Sequence, residues 1–186
     1  MLRLLKEEVD ERSRIIAAQA GDEAARSWIV RQYSPAVYRF CLRMLRNDED
    51  ARDVAQEAML KVMRSLDRVD PDKRFSTWVF GIARNSAIDA YRRRRHLSDE
   101  GPIEPADPSP SPLELSTRQE RAERLQDAMD SLPPMYREVL VMYHFEHMKY
   151  REIADILDLP IGTVMNRIFR ARERLRSAYE ASEEAE

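Results

Sequence analysis

Apolar positions along the chain recur at three- and four-residue steps, and no stretch alternates apolar with polar residues. That period predicts helices throughout and no sheet. From Arg14 to about Gln32 the apolar set is Ile15, Ile16, Ala20, Ala24, Ala25, Trp28 and Ile29, with a cap or kink at Gly21-Asp22. Residues 1–13 carry mixed charge with little periodicity and are expected to form a frayed start. Ser34 as N-cap and Pro35 as first residue predict a new helix to about Arg46. Asn47-Asp48 then opens a helix to Leu66, with Asp48, Glu49 and Asp50 suited to its positive end. Ala51, Val54, Ala55, Ala58, Val62 and Leu66 line one side of it, while Asp50, Asp53, Gln56, Glu57 and Lys61 project away.

A polar connection from Asp67 to Arg74 leads into FSTWVFGIARNSAIDAYRRRR, residues 75–95. Aromatics here (Phe75, Trp78, Phe80, Tyr91) mix with Arg84, Asn85 and the run Arg92 to Arg95. That mixture suits a surface where bases stack beside phosphates, although Trp78 is expected in the core. Further on, residues 114–131 place Leu115, Ala122, Leu125, Ala128 and Met129 at helical spacing, and Pro133-Pro134 turns the chain. Met135, Val139, Leu140, Met142, Tyr143 and Phe145 predict the broad stripe of the next helix.

Two short helices with a tight turn are predicted from Lys149 to Arg176. Tyr150, Ile153, Ala154 and Leu157 face Val164, Ile168, Ala171 and Leu175, with Asp158 and Pro160 at the turn. The outward side of the second helix carries Asn166, Phe169, Arg170 and Glu173, flanked by Met165 and by Thr163, Arg167 and Arg174. Between Arg167 and Arg176 five arginines face one acid, Glu173, in a chain of net charge −3. Local charge, not the total, marks a polyanion-binding surface. The competing interpretation is a solvated basic helix in an ordinary bundle.

Composition narrows the class. Four glycines and 35% charged residues in 186 fit an all-α protein of one or two small domains. Cys41 falls on an apolar face with Val37 and Leu45 and is expected to be a buried structural thiol in a reducing cytoplasm. His96, His144 and His147 do not combine with cysteine at a ligand spacing, so neither a metal nor a cofactor is expected. No apolar run reaches the roughly 18 residues of a membrane span, and Lys6, Glu7 and Glu8 charge the N-terminus where a signal-peptide core would lie. A cytoplasmic protein is expected.

Charge also divides the chain. Residues 1–95 hold 20 basic and 15 acidic side chains, whereas residues 96–118 hold one basic and five acidic. Half of the ten prolines fall within residues 96–113, which predicts a flexible, partly extended acidic linker between domains 1–95 and 114–186. The tail from Glu180 is acidic and expected to fray.

Three blocks in this order, DARDVAQEAMLKVMRSL, FSTWVFGIARNSAIDAYRRRR and LPPMYREVLVMYHFEHMKYREIADILDLPIGTVMNRIFRARERL, closely resemble an extracytoplasmic-function (ECF, group IV) RNA polymerase sigma factor. The resemblance covers nearly the whole chain. It implies a sigma-2-like domain, a linker and a sigma-4-like helix-turn-helix domain that together bind bacterial RNA polymerase core and promoter DNA without catalysis. By similarity, Asp53, Gln56 and Glu57 contact the polymerase clamp helices, and the loop Arg68 to Lys73 with Arg84, Asn85 and Arg92 captures a flipped base of the -10 strand. The recognition helix enters the major groove at the -35 element, with Arg170 and Asn166 suited to base edges and Thr163, Arg167 and Arg174 to phosphates; Met165 and Phe169 share that face. Met165, Asn166 and Asp158 depart from residues common in the family, often basic, serine and glycine respectively. The family further implies an anti-sigma partner, a stress or envelope response, and a linker threading the polymerase RNA channel. The alternatives are an autonomous helix-turn-helix regulator and an adaptor that mimics sigma.

Overall fold

The structure, a computed structural model, describes residues 2–97 and 113–184, with side chains over 10–94 and 121–182. Every regular element among the described residues is helical. The first domain holds α1 (Leu2–Gln19), α2 (Glu23–Leu45), α3 (Asp48–Arg64), a 3-10 turn at Leu66–Arg68 and α4 (Phe75–Leu97). The second holds α5 (Leu113–Ser131), α6 (Pro134–Leu140), a π-helical turn at Val141–Phe145, α7 (Tyr150–Leu157) and α8 (Ile161–Glu184). The Pro-rich acidic linker expected over 96–113 lies almost wholly outside the described residues.

Sequence periodicity misplaced the start of the first helix. The helix α1 begins at Leu2 rather than after residue 13. Ile15 and Ala18 bury its inner side, the Tyr33 hydroxyl donates to the Glu11 carboxylate, and the Arg14 guanidinium lies 4.7 Å over the Trp28 ring. Gly21, at φ 94°, makes the turn, and the Asp22 side chain caps α2 by accepting from the Ala25 amide at 2.9 Å.

Pro35 does not open a new helix; α2 runs through it. An interior proline costs about 3 kcal/mol. Burial of Tyr33, Val37, Phe40 and Cys41 around it, at roughly 1.5–3 kcal/mol for each large apolar side chain, outweighs that cost. Tyr33 meets Phe75 edge-on at 5.2 Å and Phe40 meets Phe80 at 5.8 Å, locking α2 to α4. Cys41 is fully buried, and burial pushes its thiol up to about 12.

The third helix starts as expected. Asn47 accepts from the Asp50 amide at 2.9 Å, and Ala51, Val54, Ala55, Ala58 and Val62 are buried, their small side chains letting α2 and α4 approach. Trp78, expected in the core, is half-buried and tilted 5.5 Å from Phe75.

In the second domain Val139, Leu140, Val141 and Met142 are all buried in succession. Four adjacent residues cannot share one face of an α-helix at 100° per residue. The chain widens into a π turn there, closed by the Glu146 amide on the Val141 carbonyl at 3.1 Å. Met135 and Phe145, expected on the buried stripe, emerge exposed. The last helix continues to Glu184, past the expected fraying at Glu180.

The two domains touch, and their buried side chains form one continuous cluster from Ile15 to Ala171. Arg137, buried in α6, fastens the contact. Its guanidinium donates to the carbonyls of Met129 (3.1 Å), Asp130 (2.6 Å) and Leu132 (3.3 Å) at the end of α5, and to Met44 (3.0 Å) in α2.

Candidate nucleic-acid and polymerase interfaces

The turn between α7 and α8 is built as its sequence predicts. Asp158 adopts a left-handed conformation at φ 52°, the Leu159 amide donates to Ala154 O at 3.0 Å, and the Thr163 and Val164 amides donate to Pro160 O at 2.9 and 3.2 Å. Buried Ile153 and Ala154 then meet buried Val164, Ile168 and Ala171. This packing leaves Thr163, Met165, Asn166, Phe169 and Arg170 exposed on α8, with Phe169 61% and Met165 51% accessible. Arg174 is exposed too, its guanidinium 5.0 Å over the Tyr136 ring. Arg167 departs from the outward row of donors: it folds inward, 3.8 Å from Glu138.

On the first domain, Arg68, Lys73, Asn85 and Arg92 are exposed around the 3-10 turn and α4. Arg84 is committed elsewhere. Its Nε and Nη2 donate to the Glu138 carboxylate at 2.8 and 3.3 Å, and its Nη1 donates to Asn85 Oδ1 at 3.2 Å. Within the arginine run, Arg94 has a structural role, donating to the Leu45 carbonyl at 3.3 Å and to Asp50 at 3.2 Å.

Three contributors escape sequence reasoning. Gln19 donates to the carbonyls of Leu66 (3.0 Å) and Val69 (2.8 Å), and Arg12 pairs with Asp72 at 2.8 Å, so α1 anchors both ends of the Arg68–Lys73 loop. Glu138, only 1% exposed, reads in sequence as an ordinary polar position within an apolar stripe. No spacing signal marks any of them.

Asp53, Gln56 and Glu57 share the exposed side of α3. A hydrogen bond from Lys61, 2.8 Å away, holds the Glu57 carboxyl below its ordinary range. Beside them lies an open groove of about 390 Å³, lined by Val30, Tyr38, Ala55, Met59, Leu60 and Met63. Among the described residues no group of His, Cys, Asp and Glu could hold a metal ion, and no helix is long and apolar enough to cross a membrane.

Two family models match in order: Sigma-70 region 2 over residues 29–97 and Sigma-70 region 4 over residues 122–175. The chain is 34% identical over 183 residues to the ECF RNA polymerase sigma factor SigW of Bacillus subtilis, covering 89% of this chain and 94% of that one. It is 32% identical over 182 residues to the ECF RNA polymerase sigma-E factor of Escherichia coli, covering 92% and 95%. Among solved structures, CnrH in complex with the cytosolic domain of CnrY matches at a TM-score of 0.73 and 27% identity, over 92% of this chain and 97% of that one. The sigma factor RpoE of Bartonella quintana, solved with the anti-sigma factor NepR, matches in fold at a TM-score of 0.68 and 24% identity, over 83% and 96%. With both sigma regions present and relatives aligned over nearly their whole length, the chain belongs to the ECF RNA polymerase sigma factors, which are transcription initiation factors and not enzymes.

Proposed function

We propose that the chain binds bacterial RNA polymerase core and holds both ends of a bipartite promoter: domain 114–186 reads the -35 duplex, domain 1–95 captures the melted -10 strand, and residues 96–113 tether them. The observation that carries this reading is the orientation of α8. Its apolar side is covered by α5, α6 and α7, leaving Asn166, Phe169 and Arg170 exposed in one row that a major groove can accept. Arg170 suits a guanine edge and Asn166 an adenine edge; Met165 and Phe169 offer apolar contact to thymine methyls; Thr163 and Arg174 reach phosphates, as does Arg167 once released from Glu138.

At the other end, the loop Arg68 to Lys73 takes the unpaired base, and Asn85, Arg92 and, once released from Glu138, Arg84 hold the same strand along α4. No hydrolysis is needed for opening. Differential affinity for the single strand offsets an unstacking cost of a few kcal/mol per base. Asp53, Gln56 and Glu57 form the polymerase contact, with the neighbouring apolar groove as its continuation. A protein that covers this groove excludes polymerase, so an anti-sigma partner in a stress or envelope response belongs to the proposal; the similar chain CnrH was itself solved with a protein partner, the cytosolic domain of CnrY. The site of action is the cytoplasm, where the polymerase works.

Reconstituted transcription tests this. Core polymerase plus the chain, supplied with a genomic promoter library, is expected to start transcripts downstream of a shared two-block element. No chain-dependent start at any promoter refutes the proposal, and a palindromic footprint on duplex DNA without polymerase supports an autonomous regulator instead.

A further inference from the structure

We infer that Glu138 is a positioning residue that latches the two domains into a closed arrangement excluding promoter DNA, by pairing with one arginine from each proposed DNA face. The inference rests on the proposed roles of Arg84 and Arg167. Glu138 is 1% exposed, and its carboxylate receives Arg84 of α4 at 2.8 Å and lies 3.8 Å from Arg167 of α8. Both guanidiniums are largely covered, with side chains 27% and 24% exposed. Neither is free to meet a phosphate while Glu138 holds it.

Four further ion pairs cross the contact in the same sense. Arg43 pairs with Glu146 at 3.5 Å, Arg46 with Asp127 at 3.0 Å and with Asp130, and Arg74 with Glu152. In each, the first domain supplies the cation and the second the carboxylate. The second domain thus presents to the first the charge that a nucleic-acid backbone would present. A polyanion competes directly for those arginines, and salt weakens the contact.

Geometry makes the closed form unable to act. Elements at -10 and -35 lie about 25 base pairs apart, or ~85 Å at 3.4 Å per pair. A globule of 186 residues has a radius of gyration near 16 Å and is roughly 40 Å across. Domains in contact therefore cannot occupy both elements. Opening must precede or accompany promoter binding, and the apparent affinity of the free chain for the -10 strand is reduced by the fraction that is open.

The test uses the full chain labelled for energy transfer through Glu49→Cys and Ser177→Cys, both exposed, while Cys41 is fully buried and escapes the dye. The binding probe is a fluorescent single strand carrying the -10 sequence of a promoter recovered with core polymerase. Glu138→Gln weakens the latch at its centre. Arg43→Glu with Arg46→Glu reverses three of the four outer bridges, leaves the interior of the second domain intact and stands alone if Glu138→Gln does not fold. Each is expected to lower energy transfer and raise single-strand affinity without polymerase at least tenfold, and added salt is expected to open the unmutated chain. Opening without a gain in affinity overturns the gate, and unchanged energy transfer in the Arg43/Arg46 variant overturns the latch. If Arg84→Ala leaves strand affinity and transcription unchanged, the proposed role of Arg84 fails, while the energy-transfer result still reports on closure.

Discussion

Replacing Gln19 by methionine keeps the side chain's length and removes its amide donors, so it isolates what α1 does for the -10 loop. Two hydrogen bonds are lost, to Leu66 O at 3.0 Å and Val69 O at 2.8 Å, the carbonyls on either side of Arg68. At about 0.5–1.5 kcal/mol net each, the total is roughly 1–3 kcal/mol. The lower half applies to Leu66, whose oxygen also accepts the Val69 amide at 3.1 Å. A central value of about 2 kcal/mol, borne wholly by the strand-bound state, corresponds to about 30-fold fewer melted complexes at equilibrium. Permanganate reactivity of unpaired -10 thymines in holoenzyme complexes reads this directly, and hydrogen exchange over residues 66–73 shows whether the loop is released. A melted fraction within twofold of the unmutated chain, with the loop released, refutes loop ordering as the basis of strand capture. Arg12→Ala is the internal comparison. Its pair with Asp72 is exposed at 51% and 71%, so its loss costs below about 1 kcal/mol and produces a smaller defect.

Other outcomes follow from single contacts. Arg137→Met strips four carbonyls of a buried donor and is expected to cost about 3–5 kcal/mol. Thermal melting should show a fall of roughly 6–20 °C, and less than about 3 °C contradicts the assignment. Burial pushes the Asp130 carboxyl up from 3.8 to about 6 against the pull of Arg137 and Arg46. The folded chain therefore holds a proton that the unfolded chain releases between about pH 4 and 6; this stability is present below pH 4 and lost as pH rises through 6. Asp130→Asn should flatten that slope by on the order of 1–3 kcal/mol in denaturant melts across the window, and an unchanged slope contradicts it. Arg170→Ala should weaken -35 recognition by about 1–3 kcal/mol and re-rank promoters in the library assay, and an unchanged ranking would remove it as a base reader.

Local chemistry was legible wherever a short stretch decides the outcome. Asn47 as a cap, Asp158 in a left-handed turn and the facing stripes of α7 and α8 each follow from side-chain type and helical pitch. Pro35 was misleading because tertiary burial on both sides of it outweighs a local penalty that sequence shows alone. The π turn at Val141–Phe145 escaped because a period of 3.6 residues cannot describe four consecutive buried positions. Arg137 and Glu138 look like ordinary surface charges of α6, and only contact with α2, α4 and α5 shows why they are buried. The same limit applies to Gln19, whose partners lie 47 and 50 residues away. The exposed sides of α3 and α8 were legible apart from Arg167, and the contact between domains was not, because periodicity records what a helix buries and never against which element.

One chain is proposed to hold two promoter elements at once. Spacer variation on a promoter recovered with core polymerase tests it most directly: base pairs are added or removed between the -35 and -10 blocks and chain-dependent transcript starts are counted. Activity is expected to peak at one spacing and to collapse when the blocks are shifted by about half a helical turn, roughly five base pairs, which turns the -35 face away from α8. Starts that persist unchanged at every spacing, or after the -35 block is deleted, contradict it.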